Sequence, residues 1–263
     1  KDPDMAIMVN RAVSGRYNLG STFKPFTAYA ALNTGQLVGG SEFVYKDQGT
    51  YKLESIPNGR CNEGVKCVFK NAFCASTNSP CTYGPVNVES ALAVSSDTFF
   101  YKIGEQILTQ RGYKPILEEQ VRLFGFGSPT GIDLPYEFGG ALPSKALKKQ
   151  LADDGAISKE EGRAFYVGDN VQFAIGQGLL SATPIQLAVA YSALANGGSV
   201  VTPHVVKAIL VPGTPDGDSG FIDIAQMVVE KDFTQGRIQR EIDMKKENRD
   251  PIVNGLRRVI EGK

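Results

Sequence analysis

The segment Gly20-Ser21-Thr22-Phe23-Lys24-Pro25-Phe26 places a serine and a lysine three residues apart at the start of an apolar stretch. The apolar spacing that follows predicts a helix over residues 21–33, closed by Gly35. Pro25 fits this helix only because it falls in the first turn, where its missing N–H would have had no partner. A serine at such a position lies near unpaired backbone N–H groups, which favour negative charge on its oxygen. Ser21 is therefore predicted to be the nucleophile of an acyl-transfer enzyme.

Lys24 lies on the same helical face as Ser21 and can reach its hydroxyl. A lysine acts as a base only if burial or neighbouring cations lower its pKa from the usual value of about 10.4. A Ser-x-x-Lys pair carries little weight alone, because both residues are common in the chain. Its position at a turn followed by an apolar helix is what makes it informative.

A second polar cluster, Ser95-Ser96-Asp97, falls inside a helix predicted over residues 87–104. Taken alone, it is better explained as a polar helix end. Further helices are predicted over residues 114–124, 183–198 and 250–260, and strands over residues 200–201 and 205–211. Helices in the first two-thirds followed by strands and a last helix indicate an α+β fold with one catalytic domain.

Composition excludes several classes of protein. The 263 residues are 42% hydrophobic, and 28 Lys and Arg balance 28 Asp and Glu, so no overall field favours nucleic acid or an anionic membrane. No apolar stretch approaches the roughly 20 residues that span a bilayer, and no signal peptide is recognisable. The abrupt start at Lys1 predicts that a targeting segment has been removed. The single histidine, His204, is predicted to be a surface residue.

Four cysteines, Cys61, Cys67, Cys74 and Cys81, fall in a stretch rich in small and polar residues that is typical of a loop. An even number of cysteines in such a loop favours two disulfides and an oxidising compartment. Three pairings are open, and the spacing does not choose among them. Zinc and free thiols are the weaker alternatives, and structural zinc ligands usually come in pairs two to four residues apart.

Several longer stretches resemble the class B penicillin-binding proteins, and the resemblance covers nearly the whole chain apart from the cysteine region. Ser-x-x-Lys is itself a motif of the penicillin-recognising serine enzymes. The Ser95-Ser96-Asp97 cluster is similar to that of elongation-type members, in which Asp can replace Asn. The other matching stretches are Asn10-Arg11-Ala12, Phe124-Gly125-Phe126-Gly127, Thr130-Gly131-Ile132-Asp133-Leu134-Pro135, Ile175-Gly176-Gln177-Gly178 and Thr183-Pro184-Ile185-Gln186-Leu187-Ala188.

The resemblance implies a transpeptidase fold with an all-helical and a sheet subdomain, in which residues 1–263 form an incomplete domain and residues 61–81 an insertion. It implies a peptidoglycan D,D-transpeptidase without a cofactor, acting on stem peptides and acylated by β-lactams. Its partner would be a membrane glycosyltransferase, and its place the outer face of the cell membrane or the periplasm. Some relatives carry a metal near the cysteine region, so zinc stays open there.

The resemblance also implies roles for individual residues. Ser21 would attack the substrate carbonyl, Lys24 would take its proton and Ser95 would relay a proton to the leaving amine. Asp97 would favour the charged form of Lys24, which opposes its use as a base, so we expect Asp97 to orient the lysine or the substrate amide within a cluster that shares protons. Ser96, together with Gly176, Gln177 and Gly178, would bind substrate, although a plain turn explains the two glycines equally well.

One family motif is missing. Neither Lys-Thr-Gly nor Lys-Ser-Gly occurs in the chain, and residues 214–248, where its strand is expected, offer no match. If that strand is truly missing, we expect the chain to be inactive. Two rival hypotheses remain: another penicillin-recognising enzyme, either a β-lactamase or a D,D-carboxypeptidase, and a non-catalytic β-lactam sensor or scaffold.

Overall fold

The computed structural model describes residues 8–57, 67–74, 79–110, 112–212 and 227–262. Within these ranges the helices are α1 (Arg11–Ser14), α2 (Lys24–Asn33), α3 (Val88–Ala93), α4 (Asp97–Thr109), α5 (Ile116–Leu123), α6 (Lys145–Asp153), α7 (Lys159–Gly162), α8 (Val167–Ala174), α9 (Pro184–Asn196) and α10 (Lys246–Glu261). The strands are β1 (Tyr45–Asp47), β2 (Thr50–Lys52), β3 (Val68–Lys70), β4 (Phe73–Cys74), β5 (Ser79–Pro80), β6 (Gly84–Val86), β7 (Ser199–Thr202), β8 (Ala208–Pro212), β9 (Met227–Asp232) and β10 (Arg237–Glu241).

Helix α2 lies at the centre of the packing, and every residue from Lys24 to Leu32 is buried. The short 3₁₀ helix Gly20–Phe23 leads directly into it. Burying one phenylalanine stabilises a fold by roughly 1.5–3 kcal/mol, so an aromatic cluster is a strong anchor for this helix. The rings that pack together at its first turns are Phe23, Phe26, Phe124, Phe126 and Phe173.

The helix predicted over residues 87–104 is wrong as a single element. It is divided into α3 and α4 by Ser95, whose backbone φ is +55°. Helix α3 begins at an Asn87 capping box with Ser90, and α4 begins at the N-cap Ser96. A left-handed residue cannot continue a helix, and the apolar periodicity on both sides concealed the break.

The strands form five antiparallel pairs in the described residues: β1 with β6, β2 with β3, β4 with β5, β7 with β10, and β8 with β9. The α+β prediction is confirmed. Strands β9 and β10 fall in residues 214–248, where the strand of the missing motif was expected but no matching sequence was found. Helix α10 begins four residues before the predicted start, with Pro251 inside it rather than in its first turn.

The cysteine region is more ordered than the predicted loop, since β3, β4 and β5 lie within it. Cys74 and Cys81 form a disulfide that closes the β4–β5 hairpin, which confirms the disulfide prediction for these two residues. Cys67 is also disulfide-bonded, whereas Cys61 lies outside the described residues. Strands of two or three residues are too short for a periodic pattern to reveal.

The remaining predictions for helices and strands are close to what is found. Helix α5 begins two residues after its predicted start, and α9 begins with Thr183 as N-cap and Pro184 in the first turn, as predicted. His204 is exposed, also as predicted. Across the described ranges, the helices are all too short or too polar to cross a membrane.

Candidate active site

Ser21 lies in the 3₁₀ helix that precedes α2, and its side chain is exposed. The preceding residue, Gly20, has a φ of +55° and donates its N–H to the carbonyl of Gly176 at 2.9 Å. This bond ties the turn that carries the serine to the end of α8. Among the described residues, the Ser21 hydroxyl has no hydrogen-bond partner, so it is free to meet a ligand.

Lys24 begins α2, one turn after Ser21, and only 1% of it is exposed. Its Nζ lies 2.6 Å from Asp97 Oδ1 and donates to two oxygens of Ser95, the carbonyl at 2.8 Å and the hydroxyl at 3.0 Å. The structure thus brings together Lys24, Ser95 and Asp97, three of the four residues predicted to be catalytic. The fourth, Ser21, is on the same short segment as Lys24.

Burial is the main influence on the pKa of Lys24 and lowers it below the usual value. The negative charge of Asp97 and its hydrogen bond act in the opposite direction, as does the more distant charge of Asp47, but desolvation prevails. The ring of Phe100 lies 5.6 Å from Nζ and excludes water from that side. The opposition expected between Asp97 and a base role for Lys24 therefore exists, and burial outweighs it.

Ser95 holds its position at the cost of backbone strain. A left-handed conformation costs a residue with a Cβ about 1–2 kcal/mol, so the surroundings must impose it. Its N–H donates to Leu92 O at 3.1 Å, and the next N–H, that of Ser96, donates to Ala91 O at 2.9 Å. The turn directs both the carbonyl and the hydroxyl of Ser95 at Lys24.

Ser96 does not occupy the substrate-binding position that we predicted. It is 0% exposed, and its hydroxyl donates to Asp47 Oδ2 at 2.5 Å while accepting the N–H of Phe99 at 3.2 Å. It is thus the N-cap of α4 and has no access to a ligand. Successive residues of this tight turn point in opposite directions. Ser95 and Asp97 therefore point towards Lys24, whereas Ser96 points towards Asp47.

Gly176, Gln177 and Gly178 follow α8 and lie beside the Ser21 turn. A Cβ on Gly176 would stand 2.3 Å from Gly20 O, so only glycine permits this close approach. The Gln177 side chain approaches Gly20, whereas Gly178 is exposed with a φ of +70°. Gly176 is therefore part of the support of the turn, and substrate binding by Gln177 and Gly178 stays a prediction.

Sequence reasoning missed two contributors to this site. Asp47 ends β1 and lies behind the Ser96 cap, and Phe100 packs under Lys24. Neither stands in a recognisable motif, because Asp47 is far from α4 in sequence and Phe100 is one of several aromatic residues along that helix. Only the folded arrangement reveals their role.

Two of the long matching stretches serve the fold rather than the chemistry. Gln186 is fully buried, and its Nε2 donates to the carbonyls of Ser128 and Gly139 at 2.7 and 2.8 Å. Asp133 accepts the N–H groups of Val205 and Val206 at 2.7 and 2.9 Å. The first pair of hydrogen bonds holds the loops at Ser128 and Gly139 against α9. The second pair holds the loop at Asp133 against the segment between β7 and β8.

The described residues contain no group of three or more His, Cys, Asp or Glu side chains that could hold a metal ion. The site consists instead of a hydroxyl, a buried amine, a second hydroxyl and a carboxylate. Such a set can activate a serine for attack on a carbonyl and move a proton to a leaving group.

Comparison with known proteins agrees with this geometry. Residues 1–263 match the family described as penicillin binding protein transpeptidase domain. The chain is 31% identical over 215 residues to the peptidoglycan D,D-transpeptidase MrdA of Salmonella typhimurium (strain SL1344), covering 80% of the chain and 30% of that protein. It therefore spans less than a third of the length of this relative.

Two solved structures are similar over most of the chain. Pseudomonas aeruginosa PBP2 in complex with WCK 5153 superposes with a TM-score of 0.70 at 27% identity, covering 97% of this chain and 47% of that one. A structure described as the structural coordination of polymerization and crosslinking by a peptidoglycan synthase complex gives 0.67 at 26% identity, covering 97% and 34%. The family model matches the whole length of the chain, and the serine, the lysine and the Ser-x-Asp turn are assembled around one buried amine. The chain therefore belongs to the penicillin-binding protein transpeptidase domain family.

Proposed function

We propose that this chain is part of a peptidoglycan D,D-transpeptidase of the elongation type, which cross-links stem peptides through an acyl-serine intermediate. The observation that carries the proposal is the buried amine of Lys24, held between Ser95 and Asp97 one helical turn from an exposed Ser21. The likeness to MrdA supports the choice of substrate.

In the first half-reaction, Ser21 Oγ attacks the carbonyl carbon of the penultimate D-Ala and transfers its proton to the unprotonated amine of Lys24. The Ser21 backbone N–H stabilises the resulting oxyanion, a kind of contact worth roughly 2.7–4 kcal/mol for each donor. The C–N bond to the terminal D-Ala then breaks. The leaving amine takes a proton through the Ser95 hydroxyl from Lys24, which leaves an ester on Ser21.

In the second half-reaction, an amine from a neighbouring stem peptide attacks the ester. Its proton passes through Ser95 to Lys24, the new amide bond forms, and the proton returns to Ser21 Oγ as that oxygen leaves. Lys24 must alternate between amine and ammonium in each half-reaction. Burial lowers its pKa and Asp97 raises it, so the two protonation states are closer in free energy than for a lysine in water.

The family name says that its members bind penicillin, and we expect penicillins to acylate Ser21 in the same way as the substrate does. The test is the intact mass of the protein after incubation with a penicillin, using the whole gene product that contains these residues. We expect a long-lived adduct that peptide mapping assigns to Ser21 and that Ser21→Ala abolishes. Rapid turnover without an adduct would favour the β-lactamase hypothesis and overturn the transpeptidase.

Ser41 provides a matched control for that experiment. It is the second residue of the 3₁₀ helix Gly40–Glu42 and follows a glycine of φ +59°, much as Ser21 follows Gly20. The residue three positions later is Val44 rather than lysine. Ser41→Ala should therefore retain full labelling.

A second measurement separates the enzyme from the other rivals. A transpeptidase should incorporate an added amine acceptor into a D-Ala-D-Ala peptide while releasing D-Ala, whereas a carboxypeptidase should release D-Ala with water as acceptor. A sensor or scaffold should be labelled by penicillin without releasing D-Ala. Incorporation that depends on Ser21 and Lys24 is the result expected here.

We further propose an extracytoplasmic location and a membrane glycosyltransferase as partner. The Cys74–Cys81 disulfide supports an oxidising compartment. The similar structure described as a peptidoglycan synthase complex supports a partner that polymerises the glycan. Co-purification of the gene product with such a partner from solubilised membranes is the test, and its recovery from the cytoplasmic fraction alone would contradict both parts.

A further inference from the structure

Asp47, at the end of β1, is a buried carboxylate without a cation beside it. It is 2% exposed, and none of the ion pairs among the described residues includes it. A buried charge without hydrogen bonds would strongly destabilise the fold. Asp47 must therefore be held by neutral donors, and its retention calls for a role.

Those donors are all present. Oδ1 accepts the N–H of Gly49 at 2.8 Å and the side-chain amide of Asn71 at 2.9 Å, and Oδ2 accepts the Asn71 amide at 2.9 Å and the Ser96 hydroxyl at 2.5 Å. The single hydroxyl proton of Ser96 goes to Asp47 Oδ2 at 2.5 Å rather than to Thr98 Oγ1, which is 3.4 Å away. Both oxygens of Asp47 act only as acceptors, as in an ionised carboxylate.

Asn71 completes the arrangement from the turn between β3 and β4. Its amide also donates to Cys81 O at 2.8 Å, and its own Oδ1 accepts the N–H of Thr98 at 2.9 Å. One end of α4 is thus held twice, through Ser96 by Asp47 of β1 and through Thr98 by Asn71 of the cysteine region. A two-point attachment fixes both the position and the direction of the helix start.

The held residues, Ser96 and Thr98, alternate along the chain with the catalytic ones. Ser95, which is strained, precedes Ser96 directly, and Asp97 follows it. These two residues supply every hydrogen-bond and ion-pair partner that Lys24 Nζ has among the described residues. A rotation of the helix start would therefore move all three oxygens away from the amine together.

The charge of Asp47 also acts on the amine directly. It is one of the influences that raise the pKa of Lys24, after the larger effect of Asp97. The other titratable groups near these carboxylates are three tyrosines, Tyr45, Tyr83 and Tyr101, whose pKa values are all raised, mainly by burial. They stay neutral near pH 7, so the charges around Lys24 are those of Asp97 and Asp47.

We propose that Asp47 is a positioning residue of the acyl-transfer site, which holds the Ser95–Asp97 turn in register with Lys24 through the Ser96 hydroxyl and is itself held by Asn71. The proposal rests on the proposed function and adds to it a residue outside the two segments that carry Ser21 with Lys24 and Ser95 with Asp97. It also gives the cysteine region a task, namely to present Asn71 to Asp47 and to the start of α4.

The experiment separates the hydrogen bond of Asp47 from its charge. Asp47→Asn, Ser96→Ala and the double variant are compared in the whole gene product by the second-order rate constant of penicillin acylation across pH. Each single variant should lower the rate at its plateau roughly ten- to hundredfold, because a loosened turn misplaces the base. The double variant should be no slower than the slower single variant, since both changes break the same link.

The acid limb of the rate profile, where the acylation rate falls because Lys24 becomes protonated, distinguishes the two variants further. It should move to lower pH in Asp47→Asn, which removes a charge that favours the ammonium, and stay in place in Ser96→Ala, which keeps that charge. Asp153→Asn is the matched control, because Asp153 is exposed on α6 and pairs with Lys149. It should alter neither the plateau nor the acid limb.

Additive losses in the double variant, or an Asp47→Asn profile equal to that of Asp153→Asn, would overturn the proposal. If Asp47→Asn does not fold, Ser96→Thr decides the matter: threonine keeps the hydroxyl and should retain most of the rate that Ser96→Ala loses, and equal rates would overturn it. Labelling of the wild type at Ser21 is measured first. Its absence counts against the proposed function, whereas unaffected variants with normal wild-type labelling count against Asp47.

Discussion

Lys24 Nζ lies 2.6 Å from Asp97 Oδ1, yet burial leaves the pKa of this lysine below its usual value. The ion pair and the desolvation oppose each other, and desolvation is larger because only 1% of Lys24 is exposed, compared with 18% of the Asp97 side chain. Because desolvation outweighs the ion pair, the amine of Lys24 is available as a base. When the amine has taken a proton, Asp97 serves as its counterion.

The lowered pKa of Lys24 predicts how stability depends on pH. In the unfolded chain the lysine titrates near 10.4, so between its folded pKa and that value the unfolded state carries a proton that the folded state has lost. The free energy of unfolding should therefore rise with pH across this window, by about 1.4 kcal/mol for each unit by which the pKa is lowered. Urea unfolding from neutral pH to about pH 9.5 measures this rise.

Lys24→Met is the comparison for that prediction, since methionine fills a similar volume and does not titrate. Its unfolding free energy should lack the upward slope. The same slope in both proteins would show that Lys24 is not the group responsible.

Asp97→Asn should move the acid limb of penicillin acylation to lower pH. Asparagine keeps an oxygen that can accept from Lys24 but removes the charge that raises the pKa of the lysine most. The ammonium group of Lys24 then loses its proton at a lower pH. The rate constant is measured across pH with Asp153→Asn as the control, and an acid limb at the wild-type position would remove Asp97 from this network.

The sequence was sufficient to predict the nucleophile turn, because its signals are local. A glycine, a serine and a proline in the first turn of an apolar helix determine the backbone there, although the predicted first turn is the 3₁₀ helix Gly20–Phe23 and α2 itself begins at Lys24. Helix α9 was predictable for the same reason, from Thr183 and Pro184. Asp97 and Lys24 were both named as site residues, although the distance between them became known only from the fold.

The break at Ser95 was not predictable, since no glycine or proline marks it. Tertiary contacts impose the left-handed backbone, and the Asp47–Ser96 bond across 49 residues is one of them. The N-cap position of Ser96 follows from this break, because in a continuous helix Ser96 would not be an N-cap. Contacts between distant segments of this kind leave no periodic trace in a sequence.

Replacing both members of the Cys74–Cys81 disulfide by serine should lower the free energy of unfolding by about 2–3 kcal/mol, given the short loop that it closes. The acylation rate should fall as well, because Asn71 donates to Cys81 O and loses an anchor when the hairpin loosens. Urea unfolding and penicillin labelling of the two proteins measure both effects. Adding a reductant to the double-serine protein is the control, and any change it causes belongs to Cys61 or Cys67.

Gly176→Ala tests whether the end of α8 supports the nucleophile. The position has a φ of +75°, and an added Cβ would stand 2.3 Å from Gly20 O and 2.7 Å from Phe23 Cβ. Backbone strain and overpacking together should cost roughly 3 kcal/mol of stability. The rate of acylation should fall too, because the Gly20 turn that carries Ser21 has to move.

Gly155→Ala separates the two contributions, since Gly155 has a φ of +73° with no atom within 4 Å of an added Cβ. It should cost only the strain of about 1–2 kcal/mol and leave acylation unchanged. If Gly176→Ala matched it in both measurements, the contact with Gly20 would contribute nothing to holding Ser21. We expect Gly176→Ala to lose more stability and to be labelled more slowly than Gly155→Ala. Its added methyl group meets backbone atoms of Gly20, so the turn that carries Ser21 has to move to accommodate it.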